Sequence, residues 1–265
     1  MGEKFYKKEK FQAIFFPVVY FLLTIAIAVT GCIIFYNKYY QPILVDGSSM
    51  HPTLVGGGSA DVSIEGNPLS YRSHYGIADL HKSAVNNLKR FDVCVTYYPA
   101  SWAAEEGASI IKRVWGFPGE TLNLTYADNT YTFTVTKNSK KICEYKAPVV
   151  EITRKYECEY RSGGKLKYAV VTKTFNQAAK FDVGSKVFYV NAKTSRTFTK
   201  TLAKNEYFVM GDNWASSTDS YLRINNPDLL TKSYLQGKAI CINAYATADN
   251  SQARNIHKIK ARYYF

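Results

Sequence analysis

Ser109-Ile110-Ile111-Lys112-Arg113-Val114-Trp115-Gly116-Phe117-Pro118-Gly119-Glu120 decides how the rest of the chain is read. Its β-branched and aromatic residues run to Trp115 and are then stopped by Pro118-Gly119, the pattern of a strand closed by a turn. Side chains alternate across a strand, so Lys112 shares a face with Ile110 and Val114. A lysine on an apolar face loses hydration, which disfavours its charged form. To act as a base near neutral pH its pKa must fall by about 3 units, worth roughly 4 kcal/mol, and desolvation can supply that. Arg113 cannot take that role, because a guanidinium does not deprotonate in proteins.

Outward from this segment the sequence stays β-rich. Val93 to Tyr97, Thr130 to Thr136, Lys167 to Thr174, Lys186 to Val190 and Glu206 to Met210 read as further strands. Turn residues punctuate them: Gly47, Gly56-Gly57-Gly58, Gly66-Asn67-Pro68, Gly163-Gly164 and Gly211-Asp212-Asn213. The expected fold class is mainly β. Two stretches, Val55 to Lys89 and the Tyr/Lys/Thr-rich Asn123 to Asn205, read as insertions, the second as a β-layer or subdomain.

The N-terminus differs. From Phe11 to Asn37 there is no charged residue, and Ile14 to Tyr36 is nearly continuous in apolar side chains. A helix of that length, at about 1.5 Å per residue, spans roughly a bilayer core. Lys4, Lys7, Lys8 and Lys10 precede it and favour a cytoplasmic N-terminus, with everything after Tyr36 outside the cell membrane. The organisation expected is thus residues 1–10 cytoplasmic, 11–37 a single-pass transmembrane helix, 38–122 and 206–265 the two parts of one domain with a C-terminal tail, and 123–205 inserted. A rival reading makes the apolar run a signal peptide cleaved after Ala26-Ile27-Ala28, but the run continues through Ile33 and Ile34, beyond a usual apolar leader.

Bulk properties narrow the classes. A hydrophobic content of 46% with only 8 prolines in 265 residues excludes a disordered chain. The net charge of +13 comes from lysines scattered through tyrosine-rich stretches rather than from a basic helix, so it points to an anionic phospholipid surface and not to nucleic acid. Cys32, Cys94, Cys143, Cys158 and Cys241 show no CxxC spacing and no paired histidines, so no metal or cofactor is expected. Cys94 and Cys241 sit in apolar runs and read as small buried side chains, whereas Cys143 and Cys158 are placed to pair if exported.

A hydroxyl partner for Lys112 lies in Val45-Asp46-Gly47-Ser48-Ser49-Met50-His51-Pro52-Thr53-Leu54, where a strand ends in small residues and is stopped by proline. Ser49 is 13 positions from Tyr36, which at about 3.5 Å each keeps it within roughly 45 Å of the membrane. A serine hydroxyl needs a base to remove its proton as it attacks. Histidine is the usual one, but His51 reads as an exposed turn residue, and none of His51, His74, His81 and His257 has the setting of Lys112.

Together with two further blocks, the order resembles the bacterial type I signal peptidases. That family's GxSMxPTL box is matched by Gly47 to Leu54. Its GDxV box is matched by Phe91-Asp92-Val93-Cys94-Val95, with Phe91 in place of glycine. Its KRVxGxPGD box is matched by Lys112 to Glu120, with Glu120 for aspartate. Its MGDNxxxSxDSR box is matched by Met210 to Ser220, after which Tyr221 stands where arginine is expected. Trp214 also occupies a site where arginine is common, and Gly237-Lys238-Ala239 extends the similarity.

The resemblance implies a membrane-anchored, mainly β catalytic domain with an inserted β subdomain, cleaving signal peptides from preproteins through an acyl-enzyme. Ser49 would be the nucleophile and Lys112 its base, with Ser217 hydrogen-bonding and orienting the lysine. Asp212, Asp219 and Arg113 would hold the site together; Arg223 is close enough in sequence to stand in for the arginine missing at Tyr221. Met50 and Ile111, with Gly47 beside them, would line a shallow pocket for a small residue before the cut. The Ser49 N–H would donate to the oxyanion. The partners implied are preprotein signal peptides, the phospholipid membrane and the protein-export translocon. Two alternatives stay open: a Ser-Lys processing peptidase of a specialised secretion or conjugation system, and a non-catalytic membrane-anchored module binding extended peptides. In the second, the basic and aromatic stretch Arg254 to Phe265 would dock on lipid.

Overall fold

The computed structural model describes residues 2–99, 102, 108–182, 187–193, 196–225, 230–246 and 256–262. The chain divides into two units, residues 1–41 and 42–265. The first is a helix, Gly2–Tyr39, in which Gln12–Tyr39 is long and apolar enough to cross a membrane. Its large apolar side chains, Ile14 and Phe21 through Ile34 and Tyr36, are exposed instead of packed into a core. In water so much bare apolar surface would be unfavourable, and a bilayer removes the penalty, so the helix fits a single-pass anchor.

The second unit is built from sheets, because its sequence alternates apolar and polar residues between closely spaced turns. The largest sheet runs in the order Tyr40–Leu44, Ser73–Asp79, Leu235–Ala246, Val93–Tyr97, Ser109–Gly116, Glu206–Met210, Leu230–Thr231, with Ile256–Arg262 also paired to Leu235–Ala246. Cys94 faces Lys112 across one antiparallel pair, and Met210 faces Arg113 across the next. The three family-like boxes on strands thus become neighbours in one sheet.

Two four-stranded sheets flank it. Phe198–Thr201, Thr121–Ala127, Thr130–Lys137 and Lys140–Pro148 form one, and Lys165–Phe175, Ile152–Ser162, Asn67–Tyr71 and Gly58–Ile64 the other. A short pair, Ala178–Asp182 with Val187–Asn191, completes the set. The expected strands are found within a few residues of their anticipated limits, and the fold is mainly β as expected. Arg254 and Tyr263 to Phe265 of the tail lie outside the described residues, as does Lys186.

The main core gathers Trp115, Leu122, Phe133, Phe188, Phe208 and Met210. Phe91 is packed against it, with the rings of Trp115, Phe133, Tyr145, Phe181 and Phe188 centred within 6.0 Å. Its φ is 69°, in the left-handed region where the related box carries glycine. The aromatic contacts offset the roughly 1–2 kcal/mol that this conformation costs a residue with a Cβ.

Candidate active site

Ser49 sits in a tight turn. The His51 N–H donates to the Ser48 carbonyl (3.1 Å) and the Leu54 N–H to the Met50 carbonyl (2.9 Å). Arg154, from the strand Ile152–Ser162, donates to the carbonyls of Pro52 and of Thr53, the latter at 2.6 Å. Asn213 holds the turn from the opposite side, its side chain donating to the Ser48 carbonyl (3.0 Å) and its N–H to the Ser49 carbonyl (3.0 Å). Asn213 therefore does more than mark the turn that its sequence suggests. Gly211 packs against the same carbonyl: a Cβ there would lie 2.4 Å from the Ser49 oxygen and 2.2 Å from Ser217 Oγ.

Lys112 reaches this turn from the neighbouring strand. It is 2% exposed, and its Nζ donates to Ser49 Oγ at 2.7 Å and to its neighbour's carbonyl at Ile111 at 3.2 Å. Burial pulls its pKa down to about 8, against the raising influence of Asp219, Cys94 and Asp212. No carboxylate forms an ion pair with it among the described residues.

The adjacent Arg113, 1% exposed, is fully engaged. It makes a bidentate pair with Asp212 (2.8 and 2.6 Å), donates to the Phe91 carbonyl (2.7 Å), and stacks its guanidinium 3.9 Å from the Phe181 ring centre. Asp219, completely buried, accepts the Gly211 N–H (2.9 Å) and the Tyr221 N–H (3.1 Å). Its charge partner is Arg196, at 3.0 and 3.2 Å. The expectation that Arg223 takes this place is corrected: Arg223 donates to the Trp102 carbonyl instead. Arg196 also donates to the Trp214 carbonyl (2.9 Å) and lies over the rings of Tyr221 (4.6 Å) and Trp214 (5.9 Å). Both positions that lack an arginine are thus filled by aromatic faces that cradle one arginine from elsewhere in the chain.

Other expectations need adjusting. Ser217 is buried beside the site and its hydroxyl has no hydrogen-bond partner among the described residues; the hydrogen bonds that Lys112 makes there go to Ser49 and the Ile111 carbonyl. His51 is not an exposed turn residue. It is 2% exposed, boxed by Tyr71, Tyr156 and Phe175, and its Nε2 accepts the Gly56 N–H (3.3 Å). Burial, reinforced by Lys173 and Arg154, lowers its pKa to about 4, so it is neutral at physiological pH. Cys143 and Cys158 are both free thiols, and Cys94 and Cys241 are buried as expected.

A cleft of about 460 Å³ opens onto Ser49 and Lys112 and is lined by Met50, Ile111 and Gly47, among others. Its apolar wall, with Leu44, Val45 and Ile110, suits a small aliphatic group next to the hydroxyl. The outer blocks close their own pairs: Asp92 with Lys238 (2.8 Å), and Glu120 with Arg90 in bidentate fashion. Glu120 also accepts the Phe117 N–H at 2.8 Å, so the longer side chain serves in the turn where the related box has aspartate.

No curated protein matches the chain closely. The family model described as signal peptidase, peptidase S26, matches residues 18–243, which includes every site residue named above. On that match over most of its length, the chain belongs to the signal peptidase family, peptidase S26.

Proposed function

We propose that the protein is a membrane-anchored serine endopeptidase that removes signal peptides from exported preproteins by a Ser49–Lys112 dyad. The observation that carries this reading is a dry amine with its pKa drawn to about 8, placed 2.7 Å from a serine hydroxyl in an apolar-walled cleft. As Ser49 Oγ attacks the scissile carbonyl, its proton passes to Lys112 Nζ, which then gives it to the leaving amine as the acyl-enzyme forms. Water, deprotonated by the same lysine, hydrolyses the ester and restores the serine. The Ser49 N–H serves the oxyanion.

Once protonated, Lys112 has three donors, of which the structure occupies two; the buried Ser217 hydroxyl is the acceptor we assign to the third. Met50, Ile111 and Gly47 shape the pocket for the small residue before the cut. The two ion pairs of Arg113 and Arg196 fix the strand and loop that carry the dyad. We place the catalytic part in residues 38–122 and 206–265. Arg196 is then the contribution of the inserted subdomain, 123–205.

The basic residues before the anchor put the N-terminus in the cytoplasm and the dyad at the outer face of the cell membrane, where the translocon delivers substrates. In vesicles carrying the full chain, Ser49→Ala and Lys112→Ala should each lower precursor processing about a thousandfold or more. Normal processing by either variant would remove the mechanism.

A further inference from the structure

A second cleft, of about 560 Å³, adjoins the first and shares Gly47, Ser48 and Ser216 with it. The Ser48 and Ser216 hydroxyls are hydrogen-bonded to each other at 3.0 Å, so the shared rim is a low bridge of two small side chains. The first cleft sets the aliphatic side chains of Leu44, Val45, Met50, Ile110 and Ile111 beside Ser49 and Lys112, and the second sets Lys173, Asn176, Gln177 and Asn213 beside the rings of Tyr71 and Phe175.

Lys173 is the one cationic side chain among the residues that line the second cleft. Lys173 and Arg154 face each other across the antiparallel pair, a like-charge juxtaposition that is unfavourable without an anion between or beside them. Arg154 is occupied by the carbonyls of the serine turn, and Lys173 lies over the Tyr71 ring at 5.5 Å. Neither has a carboxylate within ion-pair distance among the described residues. Tyr71, 3% exposed and part of the cleft wall, has a hydroxyl with no hydrogen-bond partner. Asp61 is the one carboxylate among the lining residues, and it is exposed, so water screens it more than it screens the half-buried Lys173.

Resting on the peptidase reading above, we propose that this cleft receives the segment of substrate that follows the scissile bond, and that Lys173 selects an acidic side chain within its first few residues. An extended chain whose acyl side fills the first cleft, and which leaves Ser49 across the Ser48–Ser216 bridge, meets the second cleft there. Its backbone finds side-chain amides, and a carboxylate finds the Lys173 ammonium, which has no ion-pair partner among the described residues.

The test uses the full chain in uncharged detergent micelles. Its peptide substrates share one acyl segment and carry Asp, Asn or Lys at each of the first three positions after the cut. A methyl ester of the same acyl segment serves as the control. Asp should be cleaved about fivefold faster than Lys, in kcat/KM, at one or more of the three positions. Lys173→Met should bring that ratio to about one and Lys173→Glu should invert it, both read as ratios within one variant. Equal rates for Asp and Lys at all three positions in the wild-type chain, with the ester still hydrolysed, would overturn the assignment of the cleft and leave the peptidase reading intact. Failure to hydrolyse peptides and ester alike would overturn the peptidase reading itself.

Discussion

Lys112 and Arg113 are consecutive residues of one strand, equally buried, and they meet opposite fates. On one face, Arg113 is saturated by Asp212, the Phe91 carbonyl and the Phe181 ring. On the other, Lys112 is given a neutral hydroxyl and a carbonyl and, among the described residues, no counter-ion. A buried cation that is paired stays charged and acts as a girder, whereas one that is dry and unpaired becomes titratable. On the proposed mechanism the strand then carries a fixed charge for structure and a movable proton for chemistry, side by side.

Breaking this contrast should have graded consequences. The largest is the loss of precursor processing in the Ser49→Ala and Lys112→Ala variants. Next come the girders. Arg113→Met and Arg196→Met each strand a buried carboxylate, and each should lower unfolding free energy by about 3–5 kcal/mol, read from the denaturant midpoint. A stability unchanged in either would mean that the pairs do not carry the site.

The third effect belongs to His51. Its folded pKa of about 4 lies below the unfolded value of 6.5, so between those values the unfolded chain binds more protons. Stability is then fully present above pH 6.5 and is lost as pH falls towards 4, by about 3 kcal/mol, and a His51→Gln variant should lack that dependence. The smallest effect has the opposite sign. Lys112→Met removes a charge that the folded state must keep dry below pH 8, so at pH 7 it should stabilise the protein by about 2 kcal/mol while abolishing activity. Stabilisation at one residue and destabilisation at its neighbour, from the same substitution, would put the contrast in numbers.

The parts that sequence made legible are those whose physics is local. The alternation around Lys112, the small residues and proline around Ser49 and the charge-free run before Asn37 each state their own structure. What escaped was set by distant chain. Arg196 lies 23 residues before Asp219, in a stretch without a recognisable motif, and the signal for it was indirect. Two expected arginines were replaced by Trp214 and Tyr221, the kind of ring on which a third arginine can stack. His51 reads as exposed in the sequence because Tyr71, Tyr156 and Phe175, which bury it, come from other strands. Phe91 could be seen to replace a glycine, but the ring cluster that makes its backbone tolerable could not.

The titration of the Lys112 amine in the intact chain bears most directly on all of this. Followed by the side-chain NMR signal that disappears in Lys112→Met, it should show a midpoint of about 8, with kcat/KM rising through the same pH range and levelling above it. A midpoint near the ordinary lysine value of 10.5 would contradict the account, since the amine beside Ser49 would then hold its proton throughout the range in which a base is needed.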